Sequence, residues 1–239
     1  MKSLLLAAMS TVLFVSAAAE PIVIPLWPEG VPAPVRTDVP AAKGPIAPEH
    51  VDDRGWVTHI SEPRLMVVPP AIDRPNGTAV IICPGGGYAG LSREREGVQY
   101  AQWLSHLGVT SFILTSRVGD YGHPAPLQDV LRAVRLVRSR AAEFKIDPAR
   151  LGVMGSSAGG HLAASAATLY DNPAGKTGAA LDAVSARPDF VILMYPVITM
   201  ADPYAHVGSR TNLIGANPSP ELFNLMCLEK QVTSATPPA

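Results

Sequence analysis

The sequence predicts a three-layer α/β domain built around a mainly parallel sheet. Two runs, TAVIICPG at 78–85 and FVILMYPV at 190–197, are almost continuously apolar and rich in β-branched residues, as is typical of strands buried on both faces. Between them, apolar residues recur at helical spacing from Leu127 to Val137. Strands that alternate with helices in this way favour parallel pairing through crossover connections.

The first half of this domain is expected to contain further strands and one helix. WVTHI (56–60) and RLMVVPP (64–70) alternate in the manner of strands, and they could pair with each other. A helix is expected over 94–107, and VTSFILTSR (109–117) follows it as another strand.

The second half begins with the best-patterned helix, which has Pro124 and Pro126 near its start, where proline is tolerated. Its apolar stripe consists of Leu127, Val130, Leu131, Val134 and Val137. The segments that follow are, in order, a strand RLGVMGS (150–156), a helix SAGGHLAASAATLY (157–170), the buried strand 190–197, and two short helices, SRTNLIG (209–215) and SPELFNLMCLEK (219–230).

Residues 1–19 have the features of a secretory signal peptide. Lys2 provides a short positive start, the run LLLAAMSTVLFV is apolar, and Ala17–Ala19 offers a cleavage site. We therefore expect cleavage after Ala19 and a secreted or periplasmic protein. Residues 20–55 are rich in proline and predict an extended arm lying on the domain, which spans 56–239.

The composition narrows the classes of partner. The 239 residues leave room for one sizeable domain, and a net charge of −1 does not indicate nucleic acid. After the first residues no stretch is apolar and long enough to span a membrane. There is no CxxC, HExxH or other ligand spacing, so neither a metal nor a cofactor is expected.

Two sets of side chains have simple structural interpretations. Cys83 and Cys227 could form a disulfide in an oxidising compartment, but Cys83 ends an apolar run, where an unpaired buried thiol is common. We therefore expect both thiols to be free. The solvent side of the amphipathic helix is expected to carry four arginines, Arg132, Arg135, Arg138 and Arg140.

The stretch RLGVMGSSAGGHLAAS contains a G-x-S-x-G motif, Gly155 to Gly159, between a predicted strand and a predicted helix. That context is typical of a nucleophile elbow, in which small neighbours allow a tight turn that exposes the serine. The sequence therefore predicts Ser157 as a nucleophile, with the N–H of Ala158 and the helix dipole favouring an oxyanion.

The second motif is CPGGGYAG, at 83–90. As a glycine-rich loop after a strand, it would supply backbone N–H groups to the same oxyanion. It also fits the dinucleotide fingerprint G-x-G-x-x-G, with Arg117 suited to a 2′-phosphate. The polar stretch LSREREG separates the motif from the next helix, which favours the oxyanion loop. Tyr88 could line an acyl pocket or lie on the surface.

Several histidines and aspartates could partner the serine. His161 lies on the same helix, four residues past Ser157, so it is expected to pack beneath the turn rather than act as the base. Asp202 and His206, after the strand 190–197, remain open as acid and base. His123 and Asp129 flank the start of the arginine-bearing helix and are expected to cap it or to bond locally.

Four segments together resemble one family: AVIICPGGGY, HPAPLQD with RAVRLVR, IDPARLGVMGSSAGGHLAA, and SARPDFVILMYPV. Their order and spacing are similar to those of the secreted α/β-hydrolase carbohydrate esterases, the acetylxylan-esterase-like group. The resemblance runs from about Thr78 to the end of the chain. It implies an α/β-hydrolase fold, Ser157 as nucleophile, and an oxyanion hole formed by the N–H groups of Gly86, Gly87 and Ala158. The implied substrate is an acyl ester on plant polysaccharide or oligosaccharide.

The sequence departs from this group at its carboxyl end. Members continue past EKQVTSATPPA into a strand, a loop with the acidic triad residue, a helix, a last strand and a loop with the catalytic histidine. The sequence thus predicts a fold lacking the last strands and helices, with the triad acid and histidine outside the chain. A serine without a base is a weak nucleophile, so we expect impaired activity. The strand 190–197 is then expected to present an exposed apolar edge.

Three alternatives remain open. A peptidase or lipid esterase can share the fold, because fold alone does not determine substrate. The predicted absence of the triad acid and histidine would also be consistent with a carbohydrate-binding protein that has no catalytic activity. A nicotinamide-dependent oxidoreductase would use the glycine motif at 85–90.

Overall fold

The computed structural model describes residues 21–73 and 75–239, so the predicted signal peptide lies outside the described residues. The main sheet has six strands, in spatial order β1 (Ile22–Pro25), β4 (Arg64–Val68), β7 (Thr110–Thr115), β5 (Ala79–Cys83), β8 (Leu151–Ser156) and β9 (Phe190–Met194). The last four run parallel, whereas β4 is antiparallel to β7 and β1 is antiparallel to β4. The predicted mainly parallel sheet is confirmed.

Helices cover both faces of this sheet. The longer helices are α2 (Gln99–His106), α3 (Ala125–Ser139), α5 (Ser157–Thr168) and α6 (Val207–Ile214), and the short ones are α1 (Pro40–Lys43), α4 (Ala141–Phe144) and α7 (Pro220–Leu225). In β5, Val80 and Ile82 pack with α2, while Ile81 and Cys83 pack with α3 and α5 on the other face. This alternation follows from the two-residue period of a strand, and it produces the predicted three layers.

A second, small antiparallel sheet contains β2 (His50–Val51), β3 (Trp56–Thr58) and β6 (Leu91–Ser92). The expected pairing of 56–60 with 64–70 is therefore wrong, because β3 and β4 belong to different sheets. An alternating pattern identifies a strand and its buried face but carries no information about the neighbouring strand.

The predicted helix over 94–107 begins with a π-helical turn, Glu94–Val98, and continues as α2. Such turns are rare and often occur at functional sites. This one follows β6 directly, so the glycine motif leads into a strand rather than a helix. The dinucleotide interpretation of that motif requires a helix there, and the fold does not supply one.

Of the four arginines predicted to face solvent, Arg132 and Arg135 are buried, which corrects the expectation for these two, whereas Arg138 and Arg140 are partly exposed. Arg132 lies over the ring of Trp27 at 4.1 Å, and Arg135 donates to the carbonyl of Gly175 at 3.1 Å. Arg138 forms an ion pair with Asp189, and Arg140 forms one with exposed Glu143. The arginine-bearing side of α3 is covered because the amino-terminal arm and the segment after α5 pack against it.

Arg117 and Asp129 form an ion pair with both side chains fully buried, at 2.8 Å. The expectation that Asp129 caps α3 is therefore wrong. Asp129 lies in the second turn of α3, and its carboxylate accepts hydrogen bonds from Arg117 and from Trp27 Nε1. The guanidinium of Arg117 is enclosed by protein and is not available to a phosphate.

The strand β9 lies at the edge of the sheet and is less buried than the sequence predicts, since Met194 is 37% exposed. Its outer edge is partly covered by the carboxyl-terminal segment, because the Val191 N–H donates to the carbonyl of Pro238 at 2.9 Å. Cys83 and Cys227 are both buried and unpaired, as expected. Across residues 21–73 and 75–239, no helix combines the length and apolarity needed to span a bilayer.

Candidate active site

Ser157 lies at a strand-to-helix turn, where β8 ends at Ser156 and α5 begins. Its φ is 53°, in the left-handed region that residues other than glycine rarely adopt. Strained backbone of this kind concentrates at functional sites. Here the turn leaves Ser157 partly accessible while Ser156 is fully buried, with its hydroxyl donating to Tyr100 Oη at 3.2 Å. The turn has the geometry of a nucleophile elbow.

Gly159 allows α5 to approach the sheet closely. A Cβ atom at this position would lie 2.0 Å from the carbonyl oxygen of Cys83, at the end of β5. No side chain fits between two backbones at that distance, so the approach requires glycine. As a result, the amino end of α5, with its free N–H groups, lies against the loop that follows β5.

Residues 85–90 form this loop, the oxyanion loop. A methyl group placed on Gly85 would lie 3.1 Å from Ser157 Cβ, so the loop runs directly beside the serine. Gly86 has a φ of 145°, a conformation that favours glycine. The loop thus turns back sharply over the carboxyl end of β5, where parallel α/β sheets place their ligands.

The three N–H groups predicted for the oxyanion hole belong to Gly86, Gly87 and Ala158. Within the described part of the chain, the N–H groups of Gly86 and Gly87 donate no hydrogen bond. Ala158 is buried in the first turn of α5, whose N–H groups lack intrahelical acceptors. Gly86 and Ala158 line the same small cavity, and Gly87 is held through its carbonyl by Asn212 Nδ2 at 2.8 Å. The structure therefore brings Gly86 and Ala158 together at one cavity, whereas Gly87 lies next to His206 and Ser209.

Glu96, on the π-helical turn, connects the two segments that flank the serine. Its Oε2 accepts the N–H of Gly85 at 2.7 Å, and its Oε1 accepts the hydroxyl of Tyr195 at 2.9 Å. Burial and the bond to Glu96 raise the pKa of Tyr195 to about 12, so the phenol stays protonated and donates. The role of Glu96 could not be predicted from the sequence, because nothing local distinguishes it from the other charged residues of LSREREG.

We expect Glu96→Gln to lower kcat for an ester substrate about tenfold. The neutral amide oxygen accepts the N–H of Gly85 more weakly than the carboxylate does and so loosens the oxyanion loop, and losing a whole oxyanion donor costs about 10²–10³ in rate. Steady-state kinetics on 4-nitrophenyl acetate, with the melting temperature measured in parallel, check this. Tyr195→Phe is the matched control, because it removes only the second bond and should lower kcat less. An unchanged kcat in Glu96→Gln would contradict the role.

His161, which the sequence predicts to pack beneath the serine turn, is fully buried on α5 and contacts the oxyanion loop, and both of its ring nitrogens are engaged. Nε2 lies 3.0 Å from the carbonyl of Met226, to which it must donate, so Nδ1 accepts from the Tyr88 hydroxyl at 3.0 Å. Tyr88 is buried rather than on the surface. His161 therefore supports the loop and does not serve as the base for Ser157.

Burial lowers the pKa of His161 from 6.5 to about 4. Between these values the unfolded chain binds a proton that the folded chain does not, so stability falls as pH falls through this window. For His161 the free energy of unfolding falls by about 3 kcal/mol across this window. Buried His123, whose pKa is also lowered to about 4, adds to the fall.

Urea unfolding at pH 7 and pH 4.5 should therefore show a shallower pH dependence for His161→Gln than for the natural chain. The readout is the difference between the free energies of unfolding at the two pH values, so any destabilisation that does not depend on pH cancels. His50→Gln, at an exposed position, is the control and should retain the original slope. Equal slopes in all three proteins would refute the assignment.

The two partners left open by the sequence do not join Ser157. His206 caps α6, and its Nδ1 accepts the Ser209 N–H at 3.1 Å. The neutral ring must then carry its proton on Nε2, which leaves no ring lone pair to accept a proton from a serine. Asp202 is exposed and lies 3.4 Å from Arg210. In this geometry neither residue forms part of a triad.

A further histidine–aspartate pair was not found from the sequence. His59 Nδ1 lies 3.2 Å from Asp120 Oδ2, and Gly119 donates to the carbonyl of Tyr88 in the oxyanion loop at 2.7 Å. The pair brings together residues of the small sheet and of the segment after β7. Within residues 21–73 and 75–239, no side chain hydrogen-bonds to Ser157 Oγ.

No group of three or more metal-ligating side chains is found in the part of the chain that the structure describes. At this site the chain itself supplies the hydroxyl of Ser157, the backbone N–H groups beside it and the side chain of Glu96. This set suits the attack of a hydroxyl on a carbonyl carbon, with stabilisation of the oxyanion that forms.

A serine at a strained turn after a parallel strand, beside a glycine-rich oxyanion loop, defines an α/β-hydrolase. Within this class, the chain belongs to the BD-FAE family, whose sequence profile matches residues 66–239. The family resemblance found in the sequence is thereby confirmed at the level of an acetylxylan-esterase-like α/β-hydrolase.

Two curated relatives support the same assignment. Endo-1,4-beta-xylanase B of Butyrivibrio fibrisolvens is 40% identical over 164 residues, which cover 66% of this chain and 25% of that protein. The acetylxylan esterase of Xylanibacter ruminicola is 35% identical over 170 residues, covering 70% of this chain and 33% of that protein. The chain thus spans only a quarter to a third of the length of these relatives.

Among solved structures, the acetyl ester-xyloside bifunctional hydrolase of Caldicellulosiruptor lactoaceticus is similar, with 37% identity and a TM-score of 0.68, over 91% of this chain and 72% of that one. The butyrate-bound esterase Est2 of Thermogutta terrifontis has a TM-score of 0.60 at 22% identity, over 80% of this chain and 69% of that one, and it supports the fold alone.

Proposed function

We propose that this protein is a serine carboxyl-ester hydrolase that removes acyl groups, above all acetyl groups, from plant polysaccharide or its oligosaccharides. The observation that carries the proposal is the strained Ser157 turn lying against the oxyanion loop. The similarity to an acetylxylan esterase and to an acetyl ester-xyloside hydrolase supports acetylated carbohydrate as the substrate class.

The chemistry follows from the geometry. Ser157 Oγ attacks the acyl carbonyl carbon, and the oxyanion is stabilised by the N–H groups of Gly86, Gly87 and Ala158 and by the amino end of α5. Collapse breaks the bond to the sugar oxygen, which takes up the proton released by Ser157 Oγ through solvent water and departs as a hydroxyl, and the acyl group stays on Ser157. Water then attacks this acyl-enzyme, which releases the carboxylic acid and restores the serine.

We infer in addition that these residues turn over slowly by themselves, because no side chain of the described residues is positioned to take the proton from Ser157. Losing the base from a serine triad costs on the order of 10⁶ in turnover. The rate on 4-nitrophenyl acetate should therefore lie at least about 10³-fold below that of the Caldicellulosiruptor lactoaceticus hydrolase. Comparable rates for the two proteins would overturn this part of the proposal.

The substrate class is tested with four substrates under one set of conditions. We expect hydrolysis of 4-nitrophenyl acetate and release of acetate from acetylated xylan, but no cleavage of 4-nitrophenyl palmitate or of a peptide 4-nitroanilide. Faster cleavage of the palmitate or the anilide would favour a lipid esterase or a peptidase on the same fold. Sugar binding with no hydrolysis of any substrate would favour a non-catalytic carbohydrate-binding protein.

The signal-like features of residues 1–19 support action outside the cytoplasm, in the periplasm or the medium. Plant polysaccharide is too large to enter a cell intact, so the location agrees with the substrate class. Amino-terminal sequencing of the exported protein should give Glu20 as its first residue, and an intact Met1 would contradict the assignment.

A further inference from the structure

An open cavity of about 350 Å³ borders the oxyanion loop on the side of the small sheet, and it is lined by Arg54, Trp56, Ser92 and Arg95. Trp56 in β3 and Ser92 in β6 lie directly opposite each other in the antiparallel ladder. The volume falls within the range of small-molecule sites, roughly 300–1,000 Å³. The proposed mechanism uses none of these four residues.

Trp56 connects the cavity to the active site. Its indole ring packs on the oxyanion loop so closely that a Cβ on Gly90 would lie 2.7 Å from Nε1, and one on Gly86 would lie 2.9 Å from Cη2. The ring is half-buried, which leaves part of its surface to the cavity. An aromatic ring fixed in this way offers the cavity a flat apolar surface beside the oxyanion loop.

Two guanidinium groups carry positive charge into the same cavity. Asp52 orients Arg54 through both of its carboxylate oxygens. Its Oδ1 accepts the backbone N–H groups of Arg54 and Trp56 at 2.9 and 2.8 Å, and its Oδ2 forms an ion pair with the Arg54 side chain at 3.1 Å. Arg95 forms neither an ion pair nor a hydrogen bond through its side chain within the described residues. The acidic residues next to these arginines in the chain are Asp52 and Glu96, which are already hydrogen-bonded, and Asp53 and Glu94, which are exposed.

We propose that this cavity binds a sugar unit bearing a carboxylate, a uronic acid, on the polysaccharide whose ester is cleaved at Ser157. The sugar ring lies against Trp56, and the carboxylate pairs with Arg95 and, at the edge, with Arg54. Guanidinium groups bind carboxylates through two parallel hydrogen bonds, whereas a neutral sugar gives Arg95 no charged partner. The inference rests on the proposed function, because it identifies a further unit of the same substrate.

The experiment measures binding with the Ser157→Ala protein, so that no ester chemistry intervenes. Calorimetric titration compares xylotetraose with xylotetraose carrying one glucuronic acid branch. We expect the acidic oligosaccharide to bind about tenfold more tightly at low salt, and the difference to shrink in 0.5 M NaCl. Adding Arg95→Ala should remove the preference, and Arg95→Lys should keep part of it.

The matched control is Arg140→Ala, which removes an arginine paired with exposed Glu143 outside the cavity and should leave the preference unchanged. The inference would be overturned by equal affinities for the two oligosaccharides or by no measurable binding of either. It would also be overturned if the preference for the acidic oligosaccharide persisted in Arg95→Ala. Hydrolysis of 4-nitrophenyl acetate by the natural chain is assayed separately. Its absence alongside an intact preference would defeat the proposed function but not this binding site.

Discussion

Replacing Ser157 by alanine is expected to abolish both ester hydrolysis above background and covalent labelling by an organophosphate such as paraoxon. The Oγ atom is the only group placed at the elbow that can form the acyl or phosphoryl bond. In an enzyme with a complete triad, this loss costs on the order of 10⁶ in turnover. Because no side chain hydrogen-bonds to Ser157 within the described residues, hydrolysis and labelling both start from a low rate, and the label, which accumulates with time, gives the sharper result.

Ser156 supplies the matched control for this experiment, because it is the adjacent serine but is fully buried, with its hydroxyl directed to Tyr100. Ser156→Ala should keep the label, and mass spectrometry of the labelled peptide should place the adduct on residue 157. A label that survives in Ser157→Ala, or that moves to Ser156, would show that the elbow does not present the nucleophile.

The second large effect is expected from Asp129→Ala, which should lower the free energy of unfolding by about 3–5 kcal/mol. The substitution leaves the buried guanidinium of Arg117 without its counter-charge and removes the acceptor of Trp27 Nε1. Urea unfolding at neutral pH measures the change. Since Trp27 lies in the amino-terminal arm, its fluorescence should also report loosening of the arm from α3.

Two comparisons keep this prediction specific. Asp171→Ala breaks the ion pair of exposed Asp171 with Lys176 and should leave the free energy of unfolding nearly unchanged. The double variant Arg117→Met/Asp129→Leu removes both buried charges and should regain much of the stability lost in Asp129→Ala. A loss below about 1 kcal/mol in Asp129→Ala would contradict the importance of the buried pair.

The elbow could be predicted because all of its requirements are local. Gly155, Ser157 and Gly159 stand between a strand and a helix that are each recognisable from ten or so residues. The expectation that His161 packs beneath the turn was also confirmed, because its position on α5 is set by helical spacing from Ser157.

The arginines of α3 show where local patterns fail. Helical spacing separated Arg132 and Arg135 from the apolar stripe, yet both are buried, since the arm and the segment after α5 cover that side. Likewise, the alternation of WVTHI and RLMVVPP located two strands but did not reveal that they belong to different sheets. In both cases the deciding contact comes from a segment distant in the chain.

The sequence by itself determined the three-layer α/β class, the strand-to-helix turn at Ser157 and the family, because these depend on periodicity and on short motifs. Only the tertiary structure decided that Glu96 links the oxyanion loop to Tyr195, which lies 99 residues away, and that Asp129 binds Trp27 across 102 residues. It likewise placed the Trp56 cavity beside the oxyanion loop. Such contacts arise when the sheet folds and brings distant segments to one edge, and no local pattern encodes them.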